Sequence, residues 1–152
     1  MDLSELISQL PPAEQEKLLE QVSQYKDAVV REKAQKKFMA FVHEMWPGFI
    51  HGRHHALMAK KFEGIANGSI KRLIVNMPPR HTKSEFASYL LPSWFLGRFP
   101  QKKIIQCSNT AELAVGFGRK VRNLVGSEAY STVFPDVSLR QDSKAAGRWA
   151  TN

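Results

Sequence analysis

Apolar residues recur every three to four positions in the first part of the chain: Leu3, Leu6, Ile7 and Leu10, then Leu18, Val22, Tyr25 and Val29. That spacing puts each set on one helical face, and Pro11-Pro12 separates the two helices it predicts. Pro12 suits the first turn of the second helix, with Glu14 and Glu16 near its positive end. The stripe is narrow on an otherwise charged helix, as in a small appended or partner-facing element. The charged run Arg31–Lys37 marks an expected boundary between a helical N-terminal extension, residues 1–37, and a main domain, residues 38–152.

Beyond it Phe38, Phe41, Val42 and Met45 resume a helical face that stops before Pro47-Gly48. Leu57, Lys61, Phe62 and Ile65 suit a further helix ending in the turn-rich Ala66–Ser69. The pattern then changes. Lys71–Met77 ("KRLIVNM") and Lys102–Ser108 ("KKIIQCS") read as short buried strands. The stretch between them is long enough for the helical crossover that parallel strands require, with Pro92 expected to kink or split it. Asn109 with Glu112 resembles a capping box opening a helix over Thr110–Val125. Strand, loop, helix, strand, helix is the start of an α/β sheet with parallel strands. The remainder, from Ser127 to Asn152, is mixed and predicts no completed third strand.

Charge adds a direction. The chain has 22 Lys and Arg against 14 Asp and Glu, a net charge of +8. Residues 1–37 hold six basic against seven acidic residues, and residues 38–152 hold sixteen against seven. A basic second part favours a phosphate-rich partner, nucleotide or nucleic acid. The other reading of such a surface is plain solvation. The single cysteine, Cys107, excludes an internal disulfide framework, and its setting suggests a buried strand residue. Without a long apolar run or a basic leader, the chain reads as an intracellular, cytoplasmic protein with no membrane span.

The candidate chemistry lies where the first strand meets the following helix, in "IVNMPPRHTKSEF", Ile74–Phe86. A phosphate-binding loop needs backbone N–H groups at a helix N-terminus, a Lys for the phosphates and a hydroxyl for Mg²⁺. Lys83 and Ser84 stand where the last two belong. The template G-x-x-x-x-G-K-[ST] puts Met77 at its first glycine and Thr82 at its second, so both glycines are missing. A left-handed conformation at Thr82 would cost roughly 1–2 kcal/mol. Pro78-Pro79 stiffens the turn and leaves the N–H groups of Arg80 to Ser84 as donors. A basic turn with a helix cap is the competing reading of the same residues.

The runs "IKRLIVNMPPRHTKSEFAS", "PSWFLGRFPQKKIIQCSNTAELAVGFGRKVRNLV" and "FPDVSLRQDSKAAGRW" resemble the N-terminal ATPase region of the large terminase subunit of tailed bacteriophages. The resemblance spans about Phe38 to the end. That family commonly has Pro-Pro-Arg-His-Gly-Lys-Ser in the loop, and this chain departs from it by Thr82. The resemblance implies part of a P-loop ATPase domain of the RecA-like (ASCE) class with parallel strands, preceded by N-terminal helices. It implies ATP and Mg²⁺ as cofactors and double-stranded DNA as cargo. Portal, small terminase subunit and a homo-oligomeric ring are the implied partners, in the cytoplasm of a host cell. Nucleotide contacts fall on Pro79, Arg80, His81, Thr82, Lys83 and Ser84. Arg80 and Lys83 would act on the phosphates as catalytic groups, and Ser84 would bind Mg²⁺. Trp46, Phe49 or His55 would lie against adenine, and Arg119 or Arg122 would meet DNA or a neighbouring subunit's nucleotide. Each has a plainer reading: aromatics near a helix end as core, and Arg119, Lys120 and Arg122 as a solvated helix face. His51, His54 and His55 lack the carboxylate or cysteine that would complete a zinc ligand set.

An ATPase of this kind also needs a strand ending in an acid for Mg²⁺ and a carboxylate to position water. Glu85, Glu112, Glu128, Asp136 and Asp142 do not supply them at the end of a convincing strand. In the family those acids and the nuclease carboxylates lie further along, so the expectation is a truncated form that neither turns over ATP appreciably nor cuts DNA. The alternatives are a fragment of a helicase-like ATPase and a non-catalytic basic module for DNA binding or assembly.

Overall fold

The computed structural model describes residues 11–145 and 147–152, without the side chain of Lys144. The helix expected over Leu3–Leu10 lies outside the described residues. Helix α1 spans Pro12–Lys36, α2 Phe38–Met45 and α3 Arg53–Ala66. A π-helical segment, Glu85–Leu90, runs directly into α4, Leu91–Arg98. Then come α5, Ala111–Val125, α6, Glu128–Val133, and an antiparallel pair, β1 Leu139–Lys144 and β2 Trp149–Thr151.

The expected α/β fold with parallel strands is not what forms. The chain is mostly helical, and β1–β2 is the only sheet among the described residues. Lys71–Met77 and Lys102–Ser108 have no strand pairing. Both carry β-branched, apolar composition, but a ladder needs a second backbone about 4.8 Å away. Among the described residues neither run finds one. The first keeps a strand's alternation: Leu73, Val75 and Met77 lean on the core, while Ile74 is 84% exposed. In the second, Ile105 is 88% exposed and Cys107 is an exposed free thiol rather than a buried one. The two strands that do form lie in the stretch read as mixed. Residues 139–144 (LRQDSK) lack the apolar alternation that would have marked a strand.

Helix packing holds the centre. Phe38 sits fully buried, with Phe62, Phe86 and Trp94 arranged edge to face around it at centroid distances of 5.4, 5.6 and 5.5 Å. Such pairs add about 0.5–1.5 kcal/mol each beyond area burial. Trp94 donates from Nε1 to the carbonyl of Ala34 at 3.0 Å, joining α4 to the last turn of α1. Gln35 Nε2 reaches the Val133 carbonyl at 2.6 Å. The earlier part of α1 leaves its stripe in water: Val22, Tyr25 and Val29 are exposed. Glu63 of α3 accepts from the first amide of α2, Phe38 N–H, at 3.0 Å.

Pro92 acts as its chemistry dictates. With no N–H it leaves the Ser88 carbonyl without its helical donor, and the ring crowds that carbonyl. The turn before it widens to π geometry, and Ser88 O accepts instead from Gln106 Nε2 at 2.6 Å. That bond ties the second extended run to the helix. The cap of α5 is Thr110, whose hydroxyl accepts from Leu113 N–H at 3.3 Å, one residue beyond the expected Asn109.

Candidate phosphate-binding loop

The first extended run ends at Pro78-Pro79, and helical structure starts at Lys83. Between them the backbone turns through two left-handed residues, Arg80 at φ 63° and Thr82 at φ 59°. Among the described residues these are the only non-glycines with positive φ; Gly48 and Gly68 are the others. Thr82 therefore adopts the conformation that the template reserves for glycine. A β-branched residue is strained there by about 1–2 kcal/mol, and strain of that kind concentrates at functional loops.

Specific contacts hold it. Gly52 N–H donates to His55 Nδ1 at 2.9 Å, which makes Nδ1 the acceptor and places the ring proton on Nε2. Nε2–H then donates to Thr82 Oγ1 at 2.6 Å, and the Thr82 hydroxyl donates to the His81 carbonyl at 2.6 Å. His81 Nδ1–H in turn donates to the Pro79 carbonyl at 2.8 Å. Phe86 N–H closes the loop onto Thr82 O at 2.9 Å.

The amides of Arg80, Thr82, Lys83 and Ser84 find no acceptor among the described residues, while that of His81 closes the turn over Pro79–Arg80. Those of Lys83 and Ser84 open the helix, where the positive end of the dipole attracts an anion. Half-buried Lys83 and exposed Arg80 have no acidic partner among the described residues. The nearby acid, Glu85, is engaged by Lys120 at 3.0 Å. Lys120 thus neutralises the one carboxylate that would repel a phosphate at this helix end. Exposed Ser84 lines a groove of about 700 Å³ together with Ser88, Leu91, Ile105, Cys107 and Phe117.

The expected site residues separate into three places. Pro79, Arg80, His81, Thr82, Lys83 and Ser84 form the loop itself. Phe49 and His55 are brought behind it: His55 is 5% exposed and lies against Phe49 and Phe86 at 4.8 and 4.9 Å. Burial, then the charges of His54 and His51, push the His55 pKa down. So enclosed, its ring offers little surface to a base. Trp46 is half-buried against Phe49 at 5.3 Å. Arg119 and Arg122 lie on α5, where Arg122 bonds Asn123 Oδ1 at 3.1 Å and Arg119 is exposed.

Residue pattern did not reveal the bond between His55 and Thr82, nor the part played by Lys120. The spacing of Gly52 and His55, cap and third helical residue, carried a signal only for the bond between those two, since a polar side chain there reaches back to the cap amide. Among the described residues no group of three or more His, Cys, Asp or Glu is placed to hold a metal ion, and no helix is long and apolar enough to cross a membrane. No family model, no curated protein and no solved structure matches the chain.

Proposed function

We propose that Arg80–Ser84 binds the polyphosphate of ATP, and that the chain is the nucleotide-holding part of a viral DNA-packaging motor of the large-terminase kind. The observation that carries the first half is Thr82 at φ 59°, the glycine position of the template, with Lys83, Ser84 and unbonded amides beside it. In this reading the amides and Lys83 take the β- and γ-phosphate oxygens. Arg80 adds a second charge, and Ser84 Oγ is the protein's ligand to Mg²⁺. Trp46 and Phe49 form the apolar side nearest to the base.

The second half rests on the resemblance of residues 38–152 and on the net charge of +8, which suits double-stranded DNA in a host cytoplasm. Portal and small terminase subunit, and a ring of copies, are the partners that reading brings. Binding without turnover is the behaviour this reading expects, since no acid of the sequence ends a convincing strand to hold Mg²⁺ or orient water.

Titration with a non-hydrolysable ATP analogue tests the loop. A charge-assisted contact is worth about 1.5–3 kcal/mol, so Lys83→Ala is expected to weaken binding about 10- to 100-fold, with Mg²⁺ aiding the wild type. Equal affinities would sink the assignment. Steady ATP hydrolysis abolished by Lys83→Ala would overturn the expectation of no turnover. DNA binding indifferent to nucleotide and to Lys83→Ala would favour a non-catalytic basic module instead.

A further inference from the structure

The five histidines of the chain form a connected set beside the loop. His43 lies 5.9 Å from His51, His51 6.5 Å from His55, His55 3.8 Å from His54 and His54 6.1 Å from His81, between ring centroids. Four are exposed, and His55 alone is buried. It is also the one whose two nitrogens are both committed, Nδ1 to the Gly52 amide and Nε2 to the Thr82 hydroxyl.

We propose that His55 is a positioning residue for the phosphate loop: its neutral imidazole, wedged between the Gly52 amide and the Thr82 hydroxyl, holds Thr82 in the left-handed conformation that glycine would adopt unaided, and its protonation releases the loop. This deepens the reading of the loop as a phosphate site and rests on it.

The geometry gives the reason. A protonated imidazole has a donor at each nitrogen. Nδ1–H would then face Gly52 N–H, donor against donor at 2.9 Å, and the ring or the start of α3 must move. Either movement breaks the bond to Thr82, whose φ of 59° is then uncompensated. Burial and the neighbouring His54 and His51 all push the same way. His51, His54 and Arg53 lie on its own side, His43 of α2 stands behind His51, and His81, Arg80 and Lys83 come from the loop. The one acid at the π-helical segment, Glu85, is paired with Lys120, and the nearer wall is Phe49 and Phe86. The imidazole pKa is accordingly held below its ordinary value by burial and by His54 and His51. The sign follows: the unfolded chain takes up the proton first, so this contribution to stability is complete above a histidine's ordinary pKa and falls away as pH drops towards the folded one.

The full chain with ¹⁵N-labelled imidazoles, titrated between about pH 8 and pH 5, reads the arrangement without any ligand. His55 is expected as the Nε2–H tautomer, protonating only below a histidine's ordinary pKa, with the amides of Gly52, Thr82 and Lys83 shifting at its midpoint. Loop amides that ignore that midpoint, or a His55 midpoint at or above a histidine's ordinary pKa, would overturn the proposal. Pyrophosphate affinity supplies the second arm. Thr82→Val, which keeps the shape and removes the hydroxyl, is expected to weaken binding about tenfold. His55→Leu is expected to do the same in the wild-type loop and to change affinity less than twofold in a Thr82→Gly background, where no left-handed strain has to be held. Equal effects of His55→Leu in both backgrounds count against positioning. Pyrophosphate binding to no variant at any pH sinks the phosphate reading, and the imidazole titration still decides the role of His55.

Discussion

Phe38 and Ile105 are both large apolar residues, and the fold treats them in opposite ways. Phe38 is fully enclosed by rings from α3, the π-helical segment and α4, whereas Ile105 is almost fully exposed on a run that pairs with no strand among the described residues. The difference lies in where each segment's backbone hydrogen bonds go. A helix satisfies its own N–H and C=O groups and needs a neighbour only for its apolar face, but an extended run needs a neighbour for both. The helical part therefore closes a core between helices far apart in the chain, Phe38 with Trp94 and Ala34 with Trp94 among them, and the first extended run adds only the side chains that lean inward: Leu73, Val75 and Met77.

The deepest cut into that contrast is Phe38→Ala. Three edge-to-face partners would border the void, and truncation of a buried Phe typically costs about 3–5 kcal/mol. Urea unfolding followed by far-UV circular dichroism should show the midpoint collapse. A loss under about 1 kcal/mol would mean that the helices pack loosely enough to refill the space, and the contrast with the extended runs would weaken.

A smaller effect is expected at Tyr130. Its hydroxyl donates to the Ser93 carbonyl at 2.8 Å inside the core, and burial raises its pKa far above the ordinary value. Tyr130→Phe keeps the ring against Phe41 and Phe134 and removes only the hydroxyl's bond to Ser93 O, a carbonyl inside α4. The expected loss is about 0.5–1.5 kcal/mol, that of one hydrogen bond, read by the same denaturation curve. Since the ring packing is retained, the measured loss isolates the polar part of the core.

How much of this was legible follows the same division. The helices were, because three- to four-residue spacing in α2, α3 and α5 is local information, and Pro92 announced a disturbance whose form, a π turn freeing Ser88 O for Gln106, needed the packing to appear. The parallel sheet was read from two runs that have strand composition and, among the described residues, no strand partner. Composition reports a preference for extended backbone, and pairing is a property of two segments at once. At the loop, Lys83 and Ser84 were readable from order along the chain, and Thr82 was readable as a strained position. The compensation came from His55, twenty-seven residues away, which no motif in the loop itself encodes.

Ile105→Ser is the mildest test and the one that bears most directly on the extended runs. The side chain is 88% exposed, so little burial is lost, and serine leaves the backbone free to stay extended. The expected change in stability is within about 0.5 kcal/mol, as for surface substitutions away from special features. Gln106 beside it would still hold the run to Ser88 O at 2.6 Å. If Ile105→Ser instead cost as much as Tyr130→Phe, the side chain would have to be buried in solution against something other than the residues around it here. Concentration dependence of the unfolding midpoint would then separate a second copy from a rearranged monomer, since only association makes the midpoint depend on protein concentration.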